Sequence, residues 1–142
     1  MVARKKAKKK ESPMVFRGKR KECIARASIR KGKGVVRINS MRLDAIDNKY
    51  VRHLVSEPLL LAPEVASQAD ISVNVMGGGQ MGQAQACRTA IARALVGFSG
   101  SEELKRKIVE RDRFMFAEDS RRVEPKKYKG PKARARFQKS YR

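Results

Sequence analysis

Eight lysines and arginines stand close together over residues 126–142: Lys126, Lys127, Lys129, Lys132, Arg134, Arg136, Lys139 and Arg142. No Asp or Glu interrupts them, and Tyr128, Phe137, Gln138 and Tyr141 lie between. Cations interleaved with aromatics suit the gripping of phosphates and stacking on exposed bases. Such a segment cannot bury enough apolar surface to fold alone. A second basic cluster, Lys19, Arg20, Lys21, Arg26, Arg30, Lys31, Lys33 and Arg37, has Glu22 as its one acid, and Arg121 and Arg122 begin the final run. These residues are the candidate contacts to an anionic partner, for which RNA, DNA and acidic lipid surfaces are the candidates.

Gly77, Gly79 and Gly82 satisfy Gly-x-Gly-x-x-Gly after an apolar alternation and before a helical pattern. A dinucleotide site also needs a closing strand with an acid at its end, yet Glu102 and Glu103 open a helix there. A P-loop would need Lys and Ser or Thr where Gln83 and Ala84 stand. The amides at Gly78 and Gly79 could instead meet a phosphate of an RNA backbone at a helix N-terminus, or the glycines could simply permit a tight turn. Cys23, Cys87 and the single His53 lack metal-ligand spacing, and His53 has no relay partner. We therefore expect no metal, no cofactor, no small-molecule substrate and no catalysis.

The formal charge is +21, and its distribution matters more than its size. Residues 40–120 carry ten cations and eleven acids, whereas residues 14–39 carry nine and one and residues 121–142 ten and one. A nearly neutral middle is flanked by basic segments, as befits a protein in contact with nucleic acid at several points. No apolar run approaches the roughly 20 residues that cross a bilayer, so no membrane partner is expected. With no signal peptide, two free and buried thiols in a reducing cytoplasm are expected.

The elements that would hold these groups follow from periodicity. Residues 1–13 predict a disordered basic arm, 14–120 a globular domain and 121–142 an extended basic tail. Cys23, Ala25, Ala27 and Ile29 alternate with polar neighbours as a strand. Residues 31–34 are a glycine turn into a second strand over 35–39, together predicting a β-hairpin. Asn48 caps a helix through Val51, Leu54 and Val55 that breaks near Glu57-Pro58. Ile71, Val73 and Val75 predict another strand, and residues 83–98 the longest helix, with Ala84, Cys87, Ile91, Leu95 and Phe98 on one stripe. Ser101 caps a further helix that buries Leu104, Ile108 and Val109, and residues 114–117 predict a last short strand. Interleaved strands and helices predict an α/β or α+β sandwich, with helices over a small mixed sheet.

Four stretches together resemble the universal ribosomal protein S-nine family of the small subunit. They are Gly18-Lys19-Arg20-Lys21 with Ile24-Ala25-Arg26-Ala27; Glu57-Pro58-Leu59-Leu60-Leu61; Gly77-Gly78-Gly79 through Gly82-Gln83-Ala84 to Ile91-Ala92-Arg93-Ala94-Leu95; and Gly130-Pro131 with Gln138-Lys139-Ser140-Tyr141-Arg142. The ending is similar to the archaeal and eukaryotic branch, and Gly82-Gln83-Ala84 to the archaeal one. The resemblance implies an α+β two-layer sandwich like the second domain of ribosomal protein S-five, with a left-handed βαβ crossover. It implies a place in the small-subunit head, on ribosomal RNA and beside other head proteins. It also implies a C-terminal tail whose tip, Arg142 with Lys139 and Tyr141, touches the anticodon stem-loop of peptidyl-site transfer RNA. Glu22-Cys23 departs from the Thr-Ala of the family pattern and sets an acid beside an expected RNA contact. A free-standing nucleic-acid-binding module is the alternative.

Overall fold

The computed structural model describes residues 12–140. Five strands form one mixed sheet in the order β1-β2-β5-β3-β4. β1 (Met14–Arg20) and β2 (Cys23–Lys31) are joined by Lys21 and Glu22 as an antiparallel hairpin. β3 (Val36–Ile38) and β4 (Met41–Arg42) make a second, shorter one. β5 (Ala69–Met76) runs between β2 and β3, antiparallel to the first and parallel to the second.

This order corrects the expected hairpin between residues 23–30 and 35–39, because β5 separates the two strands. The diversion is chemical. An Asp70 carboxylate oxygen accepts the backbone N–H groups of Lys33 at 2.8 Å and Val35 at 3.0 Å, so the glycine turn is held by β5 and delivers β3 to its far side. The same two amides hold the Asp70 carboxyl below its ordinary pKa.

Five helices complete the α+β domain: α1 (Lys49–Leu61), α2 (Pro63–Ser67), α3 (Gln80–Ser99), α4 (Glu102–Arg111) and α5 (Arg113–Phe116). Asn48 caps α1 as expected, its side chain accepting from the N–H groups of Tyr50 and Val51. Ser101 likewise caps α4 through Leu104 N–H. Pro58 does not end α1, which continues to Leu61; burial of Val55 and Pro58 outweighs the backbone hydrogen bond that a proline forgoes. Residues 114–117 are not a strand, because the Asp112 carboxylate accepts from Phe114 N–H at 2.8 Å and starts a helical turn that buries Met115. On α4 Leu104 and Ile108 are buried but Val109 is exposed.

α3 lies across the inner face of the sheet, and its alanines let it come close. A β-carbon added to Gly18 of β1 would stand 2.2 Å from the Ala86 carbonyl oxygen and 2.6 Å from the Ala90 nitrogen. Ala25, Ala27 and Ile29 from β2, Ile71 and Val73 from β5, and Ile91 and Leu95 from α3 are all essentially inaccessible. Each large side chain among them contributes about 1.5–3 kcal/mol relative to exposure.

Candidate nucleic-acid interface

The strands that bury one face present the other to solvent. Along β2, Cys23, Ala25, Ala27 and Ile29 point inward, while Ile24, Arg26, Ser28 and Arg30 alternate on the outer side. Register brings the outer residues into rows. Arg17 of β1 sits opposite Arg26, which sits opposite Asn74; Ser28 faces Ser72, Ser72 faces Arg37, and Arg37 faces Arg42. The five strands hold eight lysines and arginines against one acid, Asp70, whose carboxylate is engaged in the turn. Arg26, Arg30, Lys31, Lys33 and Arg37 are exposed, and Lys19 is half-buried. A pleated surface with exposed cations and short hydroxyl and amide side chains between them has the chemistry to meet phosphates.

At one end of the sheet the structure gathers residues from distant parts of the sequence. The Lys21-Glu22 turn, Gly78 and Gly79, the start of α3, and Arg122 with Val123 line a single concavity. Cys23 forms its floor, with Sγ 3.1 Å from the Gly77 carbonyl oxygen. A β-carbon at Gly78, whose φ is +57°, would fall 2.3 Å from that sulfur, so this glycine is required by packing. Gly79 meets no such obstacle, and its side faces open space. Glu22 pairs with Arg122 at 3.3 Å, and the same guanidinium donates to the Lys21 carbonyl. Glu22 thus ties the start of the C-terminal segment to the turn between β1 and β2. Burial pushes the Cys23 thiol up and, with the neighbouring Cys23 adding to it, the Cys87 thiol up to about 12; both are free and buried.

Not every predicted contact faces solvent. The Arg20 side chain is 16% exposed, donates to Gln85 at 2.7 Å and pairs with Asp119 at 2.6 Å. Asp119 also receives Arg121 in a two-point contact and sits beside Arg20 as an isolated parallel bridge to β1. The Arg121 hydrogen bonds, then the Arg20 charge, hold the Asp119 carboxyl at about 2. Arg93 of α3 reinforces this join by donating to the carbonyls of Arg17 and Phe116 and to Glu118.

Beyond the join, the chain turns back on itself. Glu124 receives Lys127 at 3.1 Å and Arg134 at 2.9 Å, and Arg136 donates to the Tyr128 carbonyl at 2.9 Å. Gly130 is buried at the centre of the turn. Lys126, Lys127, Lys129, Lys132, Arg134, Arg136, Phe137, Gln138 and Lys139 are all exposed. Tyr141 and Arg142 lie outside the described residues, as does most of the basic arm over 1–13.

The family model for ribosomal protein S9/S16 matches residues 18–142. The chain belongs to this family. It is 46% identical over 125 residues, 88% of this chain and 95% of the other, to the small ribosomal subunit protein uS9 of Methanothrix thermoacetophila. The family's match starts at Gly18, so the lysine-rich residues before it lie outside it. Two exposed cations of the outer face, Arg17 and Arg42, are not among the residues that sequence reasoning selected. Arg17 falls outside the alternation read from residue 23 onward, and Arg42 belongs to a two-residue strand too short to show a period. Among the described residues, no group of three or more His, Cys, Asp or Glu could hold a metal ion, and His53 is exposed on α1.

Proposed function

We propose that the chain is a structural constituent of the small ribosomal subunit, where the open face of its sheet binds ribosomal RNA in the head. The observation that carries this is the outer face itself: cations on four of the five strands, short polar side chains between them, and one acid already engaged. Membership of the S9/S16 family supports the ribosomal setting. Arg26, Arg30 and Arg37 would take phosphates directly, whereas Arg17 pairs with Glu118 at 3.4 Å and Arg42 with Asp44 at 3.7 Å and would have to exchange those partners. Lys21, Gly78 and Gly79 would border a second phosphate path at the end of the sheet, where amides at the start of a 20-residue helix favour anions. Arg20 would act by holding Asp119 and the root of the tail. Grouping with the second domain of ribosomal protein S-five would make the connection from β3 to β5, which run parallel and are joined through α1 and α2, a left-handed crossover.

The tail over residues 121–142 reaches, in this reading, towards transfer RNA in the peptidyl site, with Arg142 as the phosphate contact and Lys139 and Tyr141 beside it. What supports it is a run of eight cations without an acid, ending on a guanidinium that can engage phosphate oxygens in a fork. Neighbouring head proteins are the remaining partners.

Sedimentation tests the first statement: the protein should run with small subunits in a gradient, and a protein found mostly free would make it a stand-alone nucleic-acid-binding module. Removing residues 139–142 tests the second. Assembly should remain near normal while peptidyl-site transfer RNA dissociates faster; an unchanged dissociation rate removes the tail contact.

A further inference from the structure

We infer that the folded-back loop of the C-terminal segment is a clamp for one unpaired RNA base, with Tyr128 and Phe137 as its stacking walls. The inference rests on the RNA-binding reading and adds a site and a ligand class to it. Tyr128 is 87% exposed and Phe137 66% exposed, and both line one concavity of about 840 Å³. They are separated by eight residues, so only the reversal of the chain brings them together.

That reversal is held at three points. Arg136 donates to the Tyr128 carbonyl, Glu124 holds Lys127 and Arg134, and Gly130 is packed so closely that a β-carbon there would stand 2.0 Å from the Ala135 carbonyl oxygen. The two rings are therefore presented by a braced loop, and neither supports the hydrophobic core. Lys126, Lys127, Lys129, Arg136 and Lys139 surround them, with the Lys129 ammonium 5.9 Å from the Tyr128 ring centre. Glu124, the acid at the base of the loop, is satisfied by its two partners.

Rings open to solvent and ringed by cations match a nucleotide: the base takes the π-faces, and the phosphates on either side take the ammonium and guanidinium groups. An acidic peptide would use the cations but leave both rings wet. A paired base is already stacked within its helix, so the ligand is a looped-out or single-stranded nucleotide.

The test uses the full chain, a ten-nucleotide oligoadenylate and an abasic oligomer of equal length and charge. Wild type should prefer oligoadenylate. Tyr128→Ala and Phe137→Ala should each weaken it about 5- to 100-fold while changing abasic binding by less than about twofold, and Tyr128→Phe should retain wild-type preference. Equal binding of the two oligomers by wild type, or alanine variants that match wild type or lose both oligomers alike, overturns the clamp. Incorporation of the same proteins into small subunits is scored in parallel. Failure of wild type to incorporate removes the ribosomal reading and leaves the clamp standing, whereas normal incorporation with equal oligomer binding removes only the clamp.

Discussion

Along β2, one strand serves two environments at alternate residues. Its inward positions are small or aliphatic and sit under α3, where even the single added carbon of an alanine at neighbouring Gly18 would collide with helix backbone. Its outward positions, Arg26 and Arg30 among them, touch no core. Packing therefore specifies the inner face to within a fraction of an ångström, while charge and reach specify the outer one. Changes on the two faces should be separable, with stability lost on one side and affinity on the other.

The largest effect is expected at Ile91, fully buried in the middle of α3. Ile91→Ala should cost about 2–5 kcal/mol in urea unfolding; a loss below 1 kcal/mol would mean that the helix is not seated on the sheet. Gly18→Ala adds a carbon where both nearest atoms are backbone and cannot rotate away, and should cost about 1–3 kcal/mol. A neutral result there would separate α3 from β1 and dissolve the distinction between the faces.

A smaller effect belongs to the edge between them. The Asp119 carboxyl is held at about 2, below its ordinary 3.8, by Arg121 and then by Arg20. A depressed carboxylate pKa means that its contribution is complete above about pH 3.8 and is lost as pH falls towards 2. Asp119→Asn should flatten the stability profile in that window and lower stability at pH 7, where the wild-type carboxylate contributes in full. An identical slope in both proteins would show the join to be unimportant.

The smallest effect on stability is expected on the open face, and its size is the point of the comparison. Arg26→Ser with Arg37→Ser should alter unfolding by less than about 0.5 kcal/mol. The same pair should reduce the slope of log affinity for RNA against log salt by about 1.4–1.8 if both guanidiniums meet phosphates. Reduced stability with an unchanged slope would assign the arginines to the fold.

The alternation that sets up this contrast was legible from residues 23–30, as were the two capped helices and the long helix after the glycine turn, because each rests on local chemistry. The strand order was not. A glycine-rich turn after a strand points to a hairpin, and only Asp70, some 37 residues further on, reveals that the turn is tied to another strand. β1 escaped notice since Gly18 and its cations show little apolar alternation; it is defined by what α3 presses against it. The short helix after Asp112 looked like a strand because three of four residues are large and apolar, and a single capping carboxylate decides otherwise. On the open face, residue type pointed to the arginines that prove exposed, but only geometry reveals that Arg20 turns inward to Asp119.

The sheet order has a consequence for the chain as it is made. β2 is complete at Lys31, but its partner β5 begins only at Ala69, paired with that residue. Synthesis proceeds at about 5–20 residues per second, so a finished strand waits seconds for its neighbour with an unsatisfied edge. Bare edges invite pairing with other chains, and lysine and arginine discourage it. Arg26, Arg30 and Lys31 thus guard an unfinished sheet, and chains truncated ahead of residue 69 should aggregate faster once these three are neutralised.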